Sequence, residues 1–345
     1  MNDFFISVII PCRNEERFIA KCLDCILGQN YPQGKMEILI ADGGSTDDTR
    51  KILEVYAQKF PQVRWFDNPG KIVPTGLNIL IRQTKGKIIV RMDAHNEYPE
   101  DYISKCVKAL IEHKADNVGG LWITRPSANT LTAKAIALAV STGFGVGNVS
   151  YKLGVKVATA VDTVPFGCFR RDIFDKVGLF DEDMVRAQDS ELNHRIIKSG
   201  GKIMLIPDIF SYYHARDSFS KLLRMYSQYG YFKVFTAVKL GSVFTVRQLI
   251  PAIFVSSVLL LAVLGIVQPV FWWLFVADLG VYAAANILFS AKLAMKEDVR
   301  LFPFLVWAFC LIHACFGFNY LRGVVDFWFL KKHLHMKISD LPLTR

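Results

Sequence analysis

The first hundred residues alternate between short apolar runs and segments whose apolar side chains have helical spacing. Apolar runs at 6–10, 37–41 and 87–92 predict buried strands, and the segments at 16–27, about 45–59 and 74–84 predict helices. Ser45 and Asp48 have the spacing of a capping box at the start of the second helix. This alternation indicates an α/β fold with a mixed, mostly parallel sheet, in which ligands bind beyond the carboxyl ends of the strands.

After residue 117 the pattern loosens. It predicts a strand at 118–124 and helices at 130–141 and 190–199, with a glycine-rich run at 143–147. That run completes neither a dinucleotide-binding fingerprint nor a Walker motif, so it is not expected to hold a nucleotide phosphate. We interpret it as a mobile loop beside a substrate site, with a plain connector as the alternative.

Three long apolar runs lie in the last third of the chain. The runs at 249–267, 270–290 and 301–321 each have about 20 residues, enough for a helix to cross a hydrocarbon core of roughly 30 Å. Asp278 lies inside the second run and is expected to face protein or a polar cavity rather than lipid. The predicted organisation is a catalytic domain at 1–216, a basic amphipathic interfacial segment at 217–247, a membrane region at 248–330 and a basic tail at 331–345.

The sequence also predicts on which side of the membrane each part of the chain lies. The N-terminus has no pattern of a secretory signal, so the first domain is expected in the cytosol. Three crossings keep the basic residues between 292 and 300 on that side but send the basic tail outside, against the positive-inside rule. A re-entrant break near Gly317 would return the tail to the cytosol. Both topologies describe an integral protein of a bacterial inner membrane.

The composition and charge of the chain indicate which classes of partner it binds. The chain has 345 residues and a net charge of +10, which favours partners that carry phosphate groups. Basic residues are concentrated just before the apolar runs, so membrane lipid is the expected partner and nucleic acid is not. The seven cysteines are an odd number and two of them lie in an apolar run, which predicts reduced thiols.

Asp93 is the first candidate for chemistry because it follows an apolar strand in Arg91-Met-Asp-Ala-His95. A carboxylate there is a suitable ligand for a divalent cation that bridges diphosphate oxygens. His95 is a second possible ligand, and its imidazole favours Mn²⁺ over Mg²⁺. A solvated carboxylate at a turn after the strand is the alternative interpretation.

Two further carboxylates follow predicted strands. Asp42 comes after the second strand, where it could accept hydrogen bonds from a base or ribose, although turn chemistry alone also explains it. Glu15 follows the first strand in Pro11-Cys-Arg-Asn-Glu15 and could contact the same nucleoside. Its alternative role is to complement the dipole of a helix N-terminus.

Carboxylates that hold a cation at a diphosphate suit sugar transfer from a nucleotide donor. If that transfer inverts the anomeric carbon, it also needs a base that takes the proton of the acceptor hydroxyl. Asp189, in Gln188-Asp-Ser-Glu191, is our candidate, with a helix N-cap as the competing role. Asp162 and Gly167, in the segment 161–167, are weaker candidates for the acceptor side, together with Gln188.

Taken together and in this order, these segments resemble the family 2 glycosyltransferases from Ser7 to about Lys233. The resemblance implies a GT-A fold, a UDP-sugar donor and inversion, with Pro11, Glu15 and Asp42 at the nucleotide-sugar. It also implies that Asp93 binds both the donor and the metal and that Asp189 acts as the base. His95 and Gln188 depart from the aspartate and glutamate that are common in the family, which puts the choice of metal in doubt.

The segment Asp93-Ala-His95, the segment 161–167 and the apolar runs are most similar to the ExoA-like exopolysaccharide glucosyltransferases of succinoglycan synthesis. That resemblance implies transfer of glucose to a polyprenyl-diphosphate-linked saccharide. A processive polysaccharide synthase is an alternative, but its usual Gln-x-x-Arg-Trp motif is missing before the first apolar run. A non-catalytic membrane scaffold that binds nucleotide is the second alternative.

Overall fold

A computed structural model describes residues 4–147, 149–241 and 246–334. The chain divides into two compact units. The described part of the first comprises residues 4–123 and 150–213, and that of the second comprises the remaining residues from 124 onward. The segment 124–149, which the predicted organisation assigned to the catalytic domain, therefore belongs with the C-terminal helices.

A mixed sheet forms the centre of the first unit. Its strands are β1 Ile6–Cys12, β2 Met36–Asp42, β3 Val63–Asp67, β4 Ile88–Arg91, β5 Asn96–Glu97, β6 Asn117–Pro126, β7 Thr159–Ala160, β8 Cys168–Arg170 and β9 Ile203–Ala215. The strand order is β3-β2-β1-β4-β8-β6-β9-β5, and β7 pairs with β9. The first four strands in this order run parallel, whereas β8 is antiparallel to β4. The predicted α/β fold with a mixed sheet is confirmed, and the predicted parallel pairing holds for the four strands β3, β2, β1 and β4.

Helices pack on both faces of the sheet. The helices of this unit are α1 Ile19–Leu27, α2 Thr49–Lys59, α3 Val73–Gln83, α4 Tyr102–Glu112, α7 Ser150–Leu153, α8 Ile173–Val177 and α9 Gln188–Lys198. Two short helices between α4 and α7, α5 Leu131–Ala139 and α6 Gly143–Val146, belong to the second unit. Strand β1 shows why both faces are covered, because Val8 and Ile10 enter one hydrophobic core while Ile9 enters the other. Alternate side chains of a strand point to opposite faces, so a strand that carries apolar residues on both faces is buried on both.

Two local predictions are wrong. Ser45 and Asp48 do not form a capping box, because helix α2 begins at Thr49 and Ser45 donates its hydroxyl to Asp42 instead. The glycine-rich run at 143–147 is not a loop, since four of its residues form the helical turn α6, capped by the hydroxyl of Thr142. A short polar side chain can bond to more than one nearby backbone group, and spacing alone does not choose between them.

Long helices make up the second unit. They are α10 Phe219–Leu240, α11 Val246–Val267, α12 Val270–Glu297 and α13 Phe302–Gly323, the last continued by a π-helical turn at Val324–Phe329. Three apolar segments within this set are long enough to cross a membrane, at Leu249–Val267, Val270–Glu297 and Val299–Phe329. The predicted helical membrane region is thus confirmed in its fold, and the three crossings remain a prediction about a bilayer.

Two details of these helices bear on the sequence analysis. Helix α13 runs through Gly317 without interruption, so the described residues contain no re-entrant break there. A Cβ on Gly317 would lie 2.3 Å from the carbonyl oxygen of Pro251, which shows that glycine permits the close approach of two helices. Asp278 accepts a hydrogen bond of 2.7 Å from the hydroxyl of Ser257, as expected for an acid that avoids lipid. Most of the predicted basic tail, 335–345, lies outside the described residues.

Candidate active site

The predicted carboxylates meet at one edge of the sheet. Strand β1 lies between β2 and β4, and all three run parallel, so their carboxyl ends are adjacent. Asp42 is the last residue of β2, Glu15 follows β1 by three residues, and Asp93 follows β4 by two. Pro11 lies within β1 opposite Ala41. Neighbouring parallel strands therefore bring together residues that are up to 78 positions apart in the chain.

Asp42 is fully buried and its carboxylate is held by protein donors. It accepts hydrogen bonds from the backbone and hydroxyl of Ser45 and from the backbone of Gly44, and it forms a 2.6 Å ion pair with Arg50. Arg50 also pairs with Asp67 at 2.5 Å. Turn chemistry and an ion pair thus account for the position of this carboxylate. Its role toward a nucleoside stays a prediction.

Glu15 is buried at the start of the loop that follows β1. Its backbone N–H donates to the hydroxyl of Thr49, and its Oε1 lies 3.5 Å from Nδ1 of His95. His95 is about one-quarter exposed, at 27% of its side chain. The structure therefore places His95 beside Glu15, on the side of the predicted nucleoside site, and its predicted role as a metal ligand remains untested.

A buried arginine connects the predicted metal ligand with the predicted base. The side chain of Arg91 is 3% exposed; its Nη1 donates to the carboxylate of Asp189, and its Nε donates to Asp93 at 3.2 Å. The backbone N–H of Asp93 donates to the hydroxyl of buried Tyr98 at 2.7 Å. Asp93 and Asp189, which lie 96 positions apart, are thus the two carboxylates of a single ion-pair network.

Asp189 lies in the first turn of α9, and Ala187 occupies the N-cap position with a left-handed φ of 61°. The competing N-cap role is therefore excluded. Burial raises the pKa of the Asp189 carboxyl to about 6, a change that Arg91 opposes and Asp93 increases. A carboxyl group with that pKa is ionised at neutral pH yet basic enough to accept a proton, which suits a general base.

The residues predicted for the acceptor side have different surroundings. Gly167 has a φ of +95°, and a Cβ on it would lie 2.4 Å from the ring of Phe169. Its carbonyl accepts the backbone N–H of Arg91 at 3.0 Å, so it helps to position the network. Gln188 is half-buried as the first residue of α9, whereas Asp162 is exposed. No hydrogen bond ties Gln188 or Asp162 to the network within the described residues.

Sequence reasoning missed Arg91 and the aromatic side chains near it. The guanidinium carbon of Arg91 lies 5.8 Å from the ring centroid of Phe166, and that ring lies 5.4 Å from the ring of Trp122. One signal was available, because Arg91 is the only charged residue in the otherwise apolar strand β4. An arginine that ends a buried strand needs a carboxylate partner, and this requirement could have singled it out.

Comparison with known proteins decides the class of this site. Residues 7–178 match the family model described as Glycosyl transferase family 2. The chain is a family 2 glycosyltransferase. Among its relatives is the succinoglycan biosynthesis protein ExoA of Rhizobium meliloti, 27% identical over 93% of this chain and 95% of the relative. The predicted family and the predicted enzyme class are therefore confirmed.

A second relative of this glycosyltransferase comes from Methanococcus voltae. It is the dolichyl N-acetyl-alpha-D-glucosaminyl phosphate 3-beta-D-2,3-diacetamido-2,3-dideoxy-beta-D-glucuronosyltransferase, 28% identical over 93% of this chain and 97% of the relative. Among solved structures, the mannosyltransferase PcManGT of Pyrobaculum calidifontis has a TM-score of 0.58 at 21% identity, covering 94% of this chain and 88% of its own. That likeness supports the GT-A fold of the glycosyltransferase.

Proposed function

We propose that this glycosyltransferase moves a sugar, with inversion, from a UDP-sugar to a saccharide that is linked to a membrane lipid. The observation that carries the proposal is the network in which buried Arg91 holds Asp93 and Asp189 beside the carboxyl ends of the parallel strands. Transfer requires a ligand for the cation that holds the donor diphosphate and a base that receives the acceptor proton. Asp93 and Asp189 can supply these two functions from neighbouring positions.

The residues present fit a divalent ion that arrives with the donor. Asp93 is 18% exposed and accepts only long bonds from Arg91, of 3.2 and 3.4 Å, so its oxygens keep lone pairs for a cation. Among the described residues, no group of three His, Cys, Asp or Glu side chains could hold a metal alone. Mg²⁺ and similar ions are commonly held by one or two carboxylates together with substrate phosphates. When bound, the ion neutralises charge that develops on the leaving diphosphate.

The protein groups then carry out the remaining steps. Glu15 and Asp42 line the nucleoside side, where β1 and β2 end, and Arg91 keeps the carboxylate of Asp189 oriented. Asp189 takes the proton of the acceptor hydroxyl while that oxygen forms a bond to the anomeric carbon and the bond to UDP breaks. One proton moves to the carboxylate and UDP leaves as the anion, so the reaction needs no further reactant.

The membrane region and the relatives support a lipid-linked acceptor. Three helices are long and apolar enough to span a bilayer, and we propose the inner membrane of a bacterium with the catalytic unit in the cytosol. The names of the two relatives refer to succinoglycan biosynthesis and to a dolichyl-linked saccharide phosphate. PcManGT is described in complex with GDP-Man and Mn²⁺. A polyprenyl-diphosphate-linked saccharide and a UDP-sugar, with UDP-glucose tested first, are the substrates that we propose.

A donor panel tests this function. Detergent-purified protein is incubated with membrane lipid extract and each of several UDP-sugars, in Mn²⁺, Mg²⁺ or EDTA, and released UDP is measured. We expect release from one donor, dependent on the metal and abolished in Asp93→Ala. Binding of UDP without release from any donor would favour the non-catalytic scaffold instead.

A further inference from the structure

A half-buried lysine lies against the aromatic side chains near Arg91 and has no carboxylate partner among the described residues. Lys152, in the short helix α7, places its Nζ 5.7 Å from the ring centroid of Trp122. Within the described ranges 4–147, 149–241 and 246–334, no Asp or Glu forms an ion pair with it. Burial lowers the pKa of its ammonium group to about 8. The contact with the Trp122 ring offsets part of the cost of withdrawing this charge from water, and a bound anion would offset the rest.

Trp122 provides a second donor at the same place. Its ring is stacked on Tyr213 at 4.8 Å and contacts Phe166 at 5.4 Å, which fixes its orientation. Its Nε1 is buried and has no hydrogen-bond acceptor among the described residues. The indole N–H can only donate, as can the ammonium of Lys152. The ammonium lies against the same indole whose N–H is unpaired, so both groups are available as donors to a group rich in oxygen.

The position of this pair assigns it to the acceptor rather than to the donor. Trp122 belongs to β6, which lies beyond β4 and β8 in the sheet, whereas Glu15 and Asp42 follow β1 and β2 on the other side of β4. Phe166 links the pair to the network, because its ring contacts both Trp122 and the guanidinium of Arg91. An anion bound here would therefore lie on the opposite side of β4 from the residues predicted to contact the nucleoside.

We propose that Lys152 and Trp122 bind a phosphate group of the lipid carrier to which the acceptor saccharide is attached. This inference rests on the proposed function, since it assumes a lipid-linked acceptor. Lysine binds phosphate as a point charge, and the indole N–H adds one directed hydrogen bond. The bound phosphate would anchor the carrier while a hydroxyl of its saccharide reaches Asp189.

Binding of a short carrier analogue tests the site. Farnesyl diphosphate is titrated into the full-length, detergent-purified protein by calorimetry, in EDTA so that a metal cannot bring the probe into the donor site. We expect Lys152→Met to weaken binding by about tenfold or more, the loss of one charge-assisted contact of about 1.4 kcal/mol. Trp122→Phe, which keeps the ring but removes the N–H, should weaken binding by a smaller factor. Lys156→Met is the matched control, because Lys156 is an exposed lysine four residues further on.

Two further titrations make the result specific. Farnesol, which has the same tail without phosphate, should bind wild type and Lys152→Met equally, and UDP with Mn²⁺ should also bind both equally. Unchanged binding of farnesyl diphosphate to Lys152→Met would overturn the proposal, as would an equal loss of UDP binding at an unchanged melting temperature. If Lys152→Met does not fold, as judged by loss of UDP binding together with a lowered melting temperature, Lys152→Gln serves as the test variant.

The outcome separates this site from the function on which it rests. If wild type transfers sugar to lipid but binds farnesyl diphosphate independently of Lys152, only the phosphate site is wrong. If wild type transfers no sugar from any donor and yet its binding of farnesyl diphosphate depends on Lys152, the proposed function is wrong and the phosphate site stands.

Discussion

Replacement of Arg91 should abolish most turnover without removing donor binding. Its guanidinium is 3% exposed and bonds to both Asp189 and Asp93, so Arg91→Met leaves two carboxylates facing each other without a cation. A catalytic group displaced by about 1 Å can lose about 100-fold in rate. We therefore expect kcat to fall about 100-fold, which corresponds to about 2.7 kcal/mol of transition-state stabilisation. Arg91→Lys, which keeps the charge but not the planar fork, should recover part of the loss.

The assay for this prediction is a double-mutant cycle. Transfer of radiolabelled sugar to lipid is measured for wild type, Arg91→Met, Asp189→Asn and the double variant, and UDP binding with Mn²⁺ is measured for each by calorimetry. If Arg91 acts through the base, Arg91→Met should cost less than about twofold in the Asp189→Asn background, because coupled residues are not additive. A full additional 100-fold loss in that background, or loss of UDP binding, would refute the reasoning.

Three further predictions concern the base and two glycines. Burial raises the pKa of Asp189 to about 6, so kcat/KM should fall about tenfold per pH unit below pH 6 and level off above pH 7. A pH–rate profile that stays flat down to pH 5 would contradict the role of Asp189 as the base. In thermal unfolding, Gly167→Ala should be more destabilising than Gly154→Ala by about 2 kcal/mol, because both have positive φ but only the first places a Cβ against a ring, at 2.4 Å; equal melting temperatures would show that the ring relaxes freely. Gly317→Ala should likewise destabilise the protein more than Gly280→Ala by about 1–3 kcal/mol, since a Cβ on Gly317 meets a backbone carbonyl at 2.3 Å while Gly280 faces open space. In the same thermal unfolding assay Gly280→Ala should melt close to wild type, and the reverse order would argue against the close helix contact.

Local sequence patterns predicted most of the fold because they reflect burial. The strands at Ile6–Cys12 and Met36–Asp42 are apolar on both faces, which only a sheet covered on both sides explains. The same patterns placed Asp42 and Asp93 at strand ends, and parallel pairing then brought those ends together. Hydrophobic periodicity thus carried information about the site as well as the fold.

Those local patterns do not predict contacts between distant parts of the chain. Nothing near Asp189 in the sequence indicates that Arg91, 98 positions earlier, is its partner. The segment 124–149 looks like a continuation of the catalytic domain, yet it groups with the C-terminal helices. One contact between them joins Nε2 of His313 to the carbonyl oxygen of Phe144 at 2.8 Å. Such assignments depend on which surfaces meet after folding, and short-range spacing does not encode that choice.

Transfer of labelled sugar to a lipid-soluble product, with Asp189→Asn compared against Asp208→Asn, tests the central claim most directly. Asp208 is an exposed aspartate of strand β9, so the control makes the same chemical change away from the network. We predict that Asp208→Asn transfers sugar at the wild-type rate, and that Asp189→Asn binds UDP and Mn²⁺ normally but loses at least about 100-fold in transfer. Wild-type transfer by Asp189→Asn would contradict the account, because the base would then have to be another group.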